Sequence, residues 1–194
     1  MTQATKNPLQ PQWLSGQLLV AMPTMSDPRF AKSVIYVCTH SEEGAMGLVI
    51  NRLYGALNFS TLLEQLDVRL AEGAPDIDVH FGGPVETSRG FVLHSADYQR
   101  DGTGKVTADV ALTATVDILK DIATGGGPRH SLLALGYAAW AGGQLENELQ
   151  QNGWLVAPAD NALLFDSGLE TKWERAVGKL GIRPAFLSGE AGSA

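Results

Sequence analysis

The chain has 194 residues, 44% of them hydrophobic and 18% charged, the make-up of an ordinary globular domain that buries about 70% of its unfolded surface. Its 21 acidic side chains against 14 basic ones leave a net charge of −7, which argues against non-specific binding to nucleic acid or anionic membranes. The single cysteine, Cys38, excludes an intramolecular disulfide and a thiolate zinc cluster and suits a reducing compartment.

Residues 1–15 are polar, carry two prolines and read as a flexible arm with no apolar signal segment. The most apolar run, Leu132 to Ala141, is far shorter than the ~20 residues of a membrane-spanning helix. A cytoplasmic location is the expectation. Leu18 to Val20 start a strand that Pro23 ends. Asp27-Pro28 is a helix-entry signal, an acceptor for free N–H groups followed by the residue best suited to a first helical position.

Ser33 to His40 and Ala45 to Asn51 read as paired strands around a Ser41-Glu42-Glu43-Gly44 loop. A four-residue loop sets His40 opposite Ala45, Cys38 opposite Gly47, Tyr36 opposite Val49 and Ser33 opposite Arg52. Asp27, Arg29, Asn51 and Arg52 then gather at the base of the hairpin. His40 lies at its tip, roughly 23 Å from Ser33 at about 3.3 Å per residue.

Further on, Phe59 to Leu66 predicts a short helix capped by Thr61. Ile77 to Phe81 and Gly90 to Ser95 predict strands around Gly82-Gly83-Pro84, and Asp101 to Gly104 a turn. Val110 to Thr115 reads as a strand running into a helix over Val116 to Thr124. Leu132 to Trp140 is a buried strand, and Gly142-Gly143 opens a helix through Gln151. Trp154 to Ala157 is a strand, and Asn161 to Phe165 a single helical turn. Leu169 to Leu180 is an amphipathic helix with Leu169, Trp173, Val177 and Leu180 on one face. Residues 16–187 form one domain, and 188–194 a flexible tail. Hairpins among interspersed helices predict an α+β fold rather than a doubly wound sheet.

Several groups of residues carry chemistry. Asp27, Arg29, Asn51 and Arg52 suit an anion or carboxylate, with the arginines as bidentate donors oriented by Asp27. The structural alternative is a capped turn with an Asp27–Arg52 ion pair closing the hairpin. Cys38 and His40, two apart on one strand face, suggest a thiolate–imidazole pair, against a small buried thiol and a loop-edge histidine. His80 and His94 lie in strands that pair around the glycine turn, with Asp78 near His94. That is an acid–base dyad or, more simply, a surface pair tying two strands. His130 follows a glycine-rich loop.

No histidine has metal-ligand spacing, and no phosphate-binding glycine loop or nucleophile elbow is present. No cofactor or metal is therefore expected. Lys172, Arg175 and Lys179 form a basic stripe that Glu170 and Glu174 dilute, which reads as a solvated face.

Several segments together resemble the YqgE/AlgH family of bacterial proteins. They are Gly16-x-Leu18-Leu19, Met22-Pro23-x-Met25-x-Asp27-Pro28-x-Phe30, Ser33-Val34-Ile35-Tyr36 with His40, Gly44-Ala45-x-Gly47 and Asn51-Arg52. Later pieces agree: Gly82-Gly83-Pro84-Val85, Arg89-Gly90-Phe91-Val92-Leu93-His94, and Leu135-Gly136-Tyr137-Ala138 with Trp140 and Gly143-Gln144-Leu145-Glu146. The resemblance runs from about Gly16 to the last helix. It implies a mixed, strongly curved, partly barrel-like sheet, and no established reaction. Some family members carry a transcriptional-regulator label.

Three functional classes follow. With no nucleophile–base–orienter set in the sequence, the leading one is a non-enzymatic protein that binds a small anion or a protein partner, in a regulatory role. The alternatives are a metal-independent hydrolase or transferase using His40 or His94, and a DNA-binding regulator.

Overall fold

A computed structural model describes residues 13–187. The hairpin motifs build three neighbouring strands, β1 (Gln17–Ala21), β2 (Val34–Ser41) and β3 (Gly44–Val49). At the tip His40 faces Ala45, as the loop length requires. Below it the register slips by one residue, so that Val37 faces Gly47, Tyr36 faces Leu48 and Ile35 faces Val49. The pairings expected for Cys38 and Tyr36 are therefore displaced, and the shift continues to Ile50, whose N–H donates to Val34 O. The cause is a bulge at Cys38, which sets one extra residue into β2. Loop length fixes register only as far as the first bulge.

Six more strands complete one sheet: β4 (Val79–Phe81), β5 (Val85–Ser95), β6 (Thr103–Lys105), β7 (Val110–Thr113), β8 (Ser131–Ala141) and β9 (Trp154–Pro158). Their order is β6-β7-β5-β8-β3-β2-β1-β9, with β4 also against β8. Among the described residues only the β4–β8 pair is parallel. The sheet curls into a half-barrel with helices around it, the α+β class and curvature expected. β5 starts five residues before its predicted start, and β6 occupies part of a predicted turn.

The helices are α1 (Phe59–Gln65), α2 (Val116–Ala123), α3 (Gln144–Gln150), α4 (Asn161–Phe165) and α5 (Lys172–Gly178). The cap of α1 is Asn58, whose side chain accepts from Thr61 N, rather than Thr61 itself. The last amphipathic segment divides into a 3-10 turn, Leu169–Thr171, and α5.

Both faces of the sheet are covered. Leu18, Val20, Tyr36 and Leu48 pack with Trp173 and Val177 of α5. Leu19, Ile35, Val37 and Val49 pack on the other side with Trp140, Leu145 of α3 and Trp154. A third cluster seats Phe59, Ile118 and Ile122 of α1 and α2 against Val92 and Leu133. Among the described residues no helix is long and apolar enough to cross a membrane. The predicted tail, 188–194, and most of the predicted arm lie outside the described residues.

One backbone crossing shapes the region of interest. Gly82 N–H donates to Leu135 O, and Gly82 O accepts from Val49 N–H. The 82–84 segment passes so close to β8 that a Cβ on Gly136, itself at φ 73°, would stand 2.3 Å from Gly83 O. The Gly-Gly-Pro and Leu-Gly-Tyr motifs are thus two halves of one contact. It brings Pro84 and Val85 beside the end of β8.

Candidate functional site: a tryptophan-walled cleft

β8 ends at Trp140 and Ala141. A glycine turn then reverses the chain into α3, whose Gln144 and Glu148 are four residues apart and share a face. Glu148 is the hub. Its Oε2 accepts the indole N–H of Trp140 at 2.9 Å and of Trp154 at 2.8 Å, and its Oε1 accepts from Gln144 Nε2 at 3.1 Å. A tryptophan buried at its apolar end needs such an acceptor for its N–H.

The two indoles meet edge-to-face at 6.0 Å, and Phe30 meets Trp154 the same way at 5.9 Å. Facing them is the 24–30 loop. Between loop, sheet and helix lies a cleft of about 560 Å³, walled by Asp27, Arg29, Phe30, Trp140, Glu148 and Trp154, with Pro84 and Val85 beside them.

The predicted base cluster is divided. Asp27 and Arg29 line the cleft, locked together: Arg29 Nη2 lies 2.7 Å from Asp27 Oδ2, and Arg29 Nε donates to both carboxylate oxygens. The Arg29 guanidinium holds the Asp27 carboxyl below its usual range. Asp27 opens a turn rather than an α-helix, its carbonyl accepting from Phe30 N and Ala31 N.

Asn51 and Arg52 face the back of the same loop. Arg52 donates to Arg29 O at 2.6 Å and Ala31 O at 3.0 Å. Asn51 Oδ1 accepts from Val34 N, and its Nδ2 donates to Lys32 O, each at 2.9 Å. The expected Asp27–Arg52 ion pair is not among those formed by the described residues. Asp27 meets a guanidinium two residues along without closing a long loop, while Arg52 satisfies carbonyls that no regular structure serves.

Arg52→Ala is therefore expected to lower stability by about 1–2 kcal/mol, the loss of two charge-assisted bonds on a partly exposed loop. A double-mutant cycle with Asp27→Ala should give a coupling under about 0.5 kcal/mol. Coupling above about 1 kcal/mol would restore the direct pair.

The other candidates lie away from the cleft. Cys38 is buried beside Tyr36, its thiol reaches only Tyr36 O at 3.8 Å, and burial pushes its pKa up to about 12. That describes packing, not a nucleophile. The bulge at Cys38 breaks the alternation that would have set Cys38 and His40 on one face. His40 instead accepts the Leu14 N–H at Nδ1 (3.1 Å), which places its proton on Nε2, bonded to Glu146 Oε1 at 2.9 Å. With Trp13 edge-on to the ring and Ser15 Oγ accepting from His40 N, residues 13–15 are fastened to the hairpin tip, not free as read from sequence.

His80 and His94 are both buried, not a surface pair. β8 runs between β4 and β5, so their strands do not pair with each other. His80 Nδ1 donates to Leu133 O. His94 Nδ1 donates to Ser95 O, leaving Nε2 to accept from Thr113 Oγ1, both at 2.8 Å. Burial lowers the pKa of both rings. Asp78 forms no hydrogen bond with His94 among the described residues.

The basic stripe is a solvated face only in part: Lys179 is exposed and Arg175 half-buried, while Lys172 departs from it. Lys172 is fully buried, donates to Leu164 O at 3.0 Å and has its pKa lowered to about 8 by burial. Arg175 pairs with Asp166, and Lys179 with Asp160.

Trp140, Gln144, Glu148 and Trp154 were not singled out as a site by sequence. The available signal was the pair of tryptophans bracketing a helix with an acceptor on its inner face. Both carboxylates in the cleft are bound to donors, and neither Cys38 nor any histidine lines it. The arrangement is suited to holding a molecule rather than to moving protons.

A curled α+β half-barrel with one recessed, aromatic-walled cleft is the class of protein that fold and site define. The family model described as AlgH-like, DUF179, matches residues 18–185, and the chain belongs to that family. A UPF0301 protein of Rhodopseudomonas palustris (strain BisB18) is 55% identical over 191 residues, covering 94% of this chain and 90% of the relative. The solution structure of the AlgH protein from Pseudomonas aeruginosa is 44% identical with a TM-score of 0.75, covering 97% of this chain and all of that one. A crystal structure from Corynebacterium diphtheriae, 21% identical over 94% of each chain, has a TM-score of 0.72 and shares the fold.

Proposed function

We propose that this protein is a non-enzymatic binding protein with a regulatory role, and that the tryptophan-walled cleft takes a small molecule with an apolar body and a polar edge. The observation that carries the reading is Glu148 held by two indole N–H groups, which fixes both rings before any ligand arrives. Pre-set aromatic walls reduce the ordering cost of binding. Phe30 and the indoles contact the apolar body, while Gln144 and the Asp27–Arg29 pair meet the polar edge. An anion would have to compete with Asp27 for Arg29, so a neutral polar group suits the rim better than the free anion expected from sequence.

The hydrolase or transferase reading gains nothing from His40 or His94, since both nitrogens of each ring are engaged. The DNA-binding reading gains nothing from the stripe on α5, whose cations have carboxylate or carbonyl partners.

Native mass spectrometry of the protein purified from its own host tests the proposal. The expected result is a retained small molecule, lost from a variant combining Arg29→Ala and Gln144→Ala, both at the cleft wall. A spectrum of bare chain, with a host metabolite extract raising the melting temperature of wild type and variant alike, would overturn it.

A further inference from the structure

Past the end of β3 the chain runs on beside β4. Phe81 N–H donates to Arg52 O and Tyr54 N–H to Val79 O, each at 2.8 Å, with Leu53 facing His80 between them. In an antiparallel ladder a residue flanked by two such bonds turns its own N–H and C=O to the opposite side. On that side β2 has already ended. Its last contacts with this stretch are Ile50 N–H to Val34 O and Val34 N–H to the Asn51 side chain. Leu53 N–H and C=O therefore point outward, and neither has a hydrogen-bond partner among the described residues. Leu53 itself is 48% exposed, so nothing in the described chain covers the edge.

Beside Leu53 lies a shallow hollow of about 530 Å³, lined by Pro28, Arg29, Arg52, Tyr54, Ala56 and Phe81. The Tyr54 and Phe81 rings stand 6.3 Å apart in its wall. Its charged side chains are both arginines. Arg29 is neutralised by Asp27. Arg52 is not: it donates to the carbonyls of Arg29 and Ala31 and has no carboxylate partner among the described residues. A guanidinium carries five N–H donors, and those bonds use two. Asp76 and Asp78 line a different hollow, beside Val79. On a chain of net charge −7, the hollow beside Leu53 is apolar surface bounded by an uncompensated cation.

The open edge and the cation together choose the occupant. An unpaired strand edge is a template for another extended chain, which bonds main chain to main chain while alternate side chains enter the neighbouring hollow. The arginine selects for a carboxylate on that chain.

We infer that the Arg52–Tyr54 edge is a docking site, separate from the cleft, for an extended segment of a partner protein in which acidic and apolar residues alternate: it adds a strand beside Leu53 and sets a carboxylate on Arg52.

The probe is a capped hexapeptide alternating valine and glutamate, followed by proton–nitrogen NMR, with lysine in place of glutamate as the control. The expected result is saturable shifts at the amides of Leu53, Tyr54 and Gly55 and slower hydrogen exchange at Leu53, from the glutamate peptide and not from the lysine one. The indole signals of Trp140 and Trp154 should stay in place. Leu53→Pro removes the outward N–H without taking a bond from the folded chain, and Leu53→Glu sets a like charge beside the peptide. Each should weaken binding about tenfold. Absence of saturable shifts, equal response to the lysine peptide, or wild-type affinity in either variant would overturn the inference. So would a Leu53 amide shift that follows protein concentration without peptide, which would mean that a second copy of this chain covers the edge. Leu53→Glu, at an exposed position, carries the test alone should the proline variant fail to fold.

Discussion

Trp173→Ala is expected to cost about 3–5 kcal/mol of folding stability, the range for removing a large aromatic ring from a core. α5 has only seven helical residues, too few to stand without packing. It is held to the sheet by Trp173, Ala176 and Val177, all buried. The Trp173 indole N–H also donates to Ala21 O at the end of β1, at 2.8 Å, and the Lys32 ammonium lies 5.8 Å from the ring centre. Alanine would leave a cavity and an unpaired carbonyl together. Trp173→Phe keeps most of the ring and should cost less, about 1–3 kcal/mol, for the lost bond and altered shape. Denaturant melts measure both. A loss under about 1 kcal/mol for the alanine variant would mean that this face of α5 is not core, and would suggest a partner surface.

Gly83→Ala is expected to do more, costing above about 4 kcal/mol, so that little folded protein is recovered. A Cβ there would stand 2.1 Å from the carbonyl carbon of Tyr137 and 2.4 Å from Ala138 N. Those are backbone atoms of β8, the strand between β5 and β3, and they cannot turn aside as a side chain can. At Gly55, nothing lies within 4 Å of the corresponding position, and Gly55→Ala should change stability by less than about 0.5 kcal/mol. Circular dichroism and melting of the two variants side by side separate crowding at the crossing from a general intolerance of added methyl groups. A Gly83→Ala protein that melts like wild type would show that the 82–84 segment does not cross β8 so closely.

Legibility in the sequence follows the range of the interaction. The hairpin tip, α2, β9 and the turn at Asn161 are local, and loop length, periodicity and capping located them. Register failed at Cys38, because a bulge depends on what the opposite strand tolerates: at Gly47 a Cβ would stand 2.6 Å from Ile35 Cγ2 and 2.8 Å from Tyr36 O. The clustering of Asp27, Arg29, Asn51 and Arg52 at one loop was readable. Their pairing was not, because Arg52 took the irregular loop's carbonyls while Asp27 took the nearer guanidinium. The glycine turn between His80 and His94 predicts that their strands pair, and only the insertion of β8 between them shows otherwise. The cleft was hidden for the same reason. Phe30, Trp140, Glu148 and Trp154 come from four separate segments, and nothing in the order of residues says that they meet. The motifs of the family resemblance carried the curvature of the sheet, which periodicity alone could not.

The most direct test of the cleft is to follow the four tryptophan indole N–H signals by proton–nitrogen NMR while a metabolite extract of the host, and then its active fraction, is added. Trp140 and Trp154 donate to the same carboxylate in the wall of the cleft, while Trp173 donates to Ala21 O beneath α5 and Trp13 packs on His40. A ligand in the cleft should move the Trp140 and Trp154 signals together and saturably, leave Trp13 and Trp173 in place, and lose its effect in the Arg29→Ala, Gln144→Ala double variant. Movement confined to Trp13 or Trp173, or no movement with any fraction, would contradict the assignment of the cleft as the binding site.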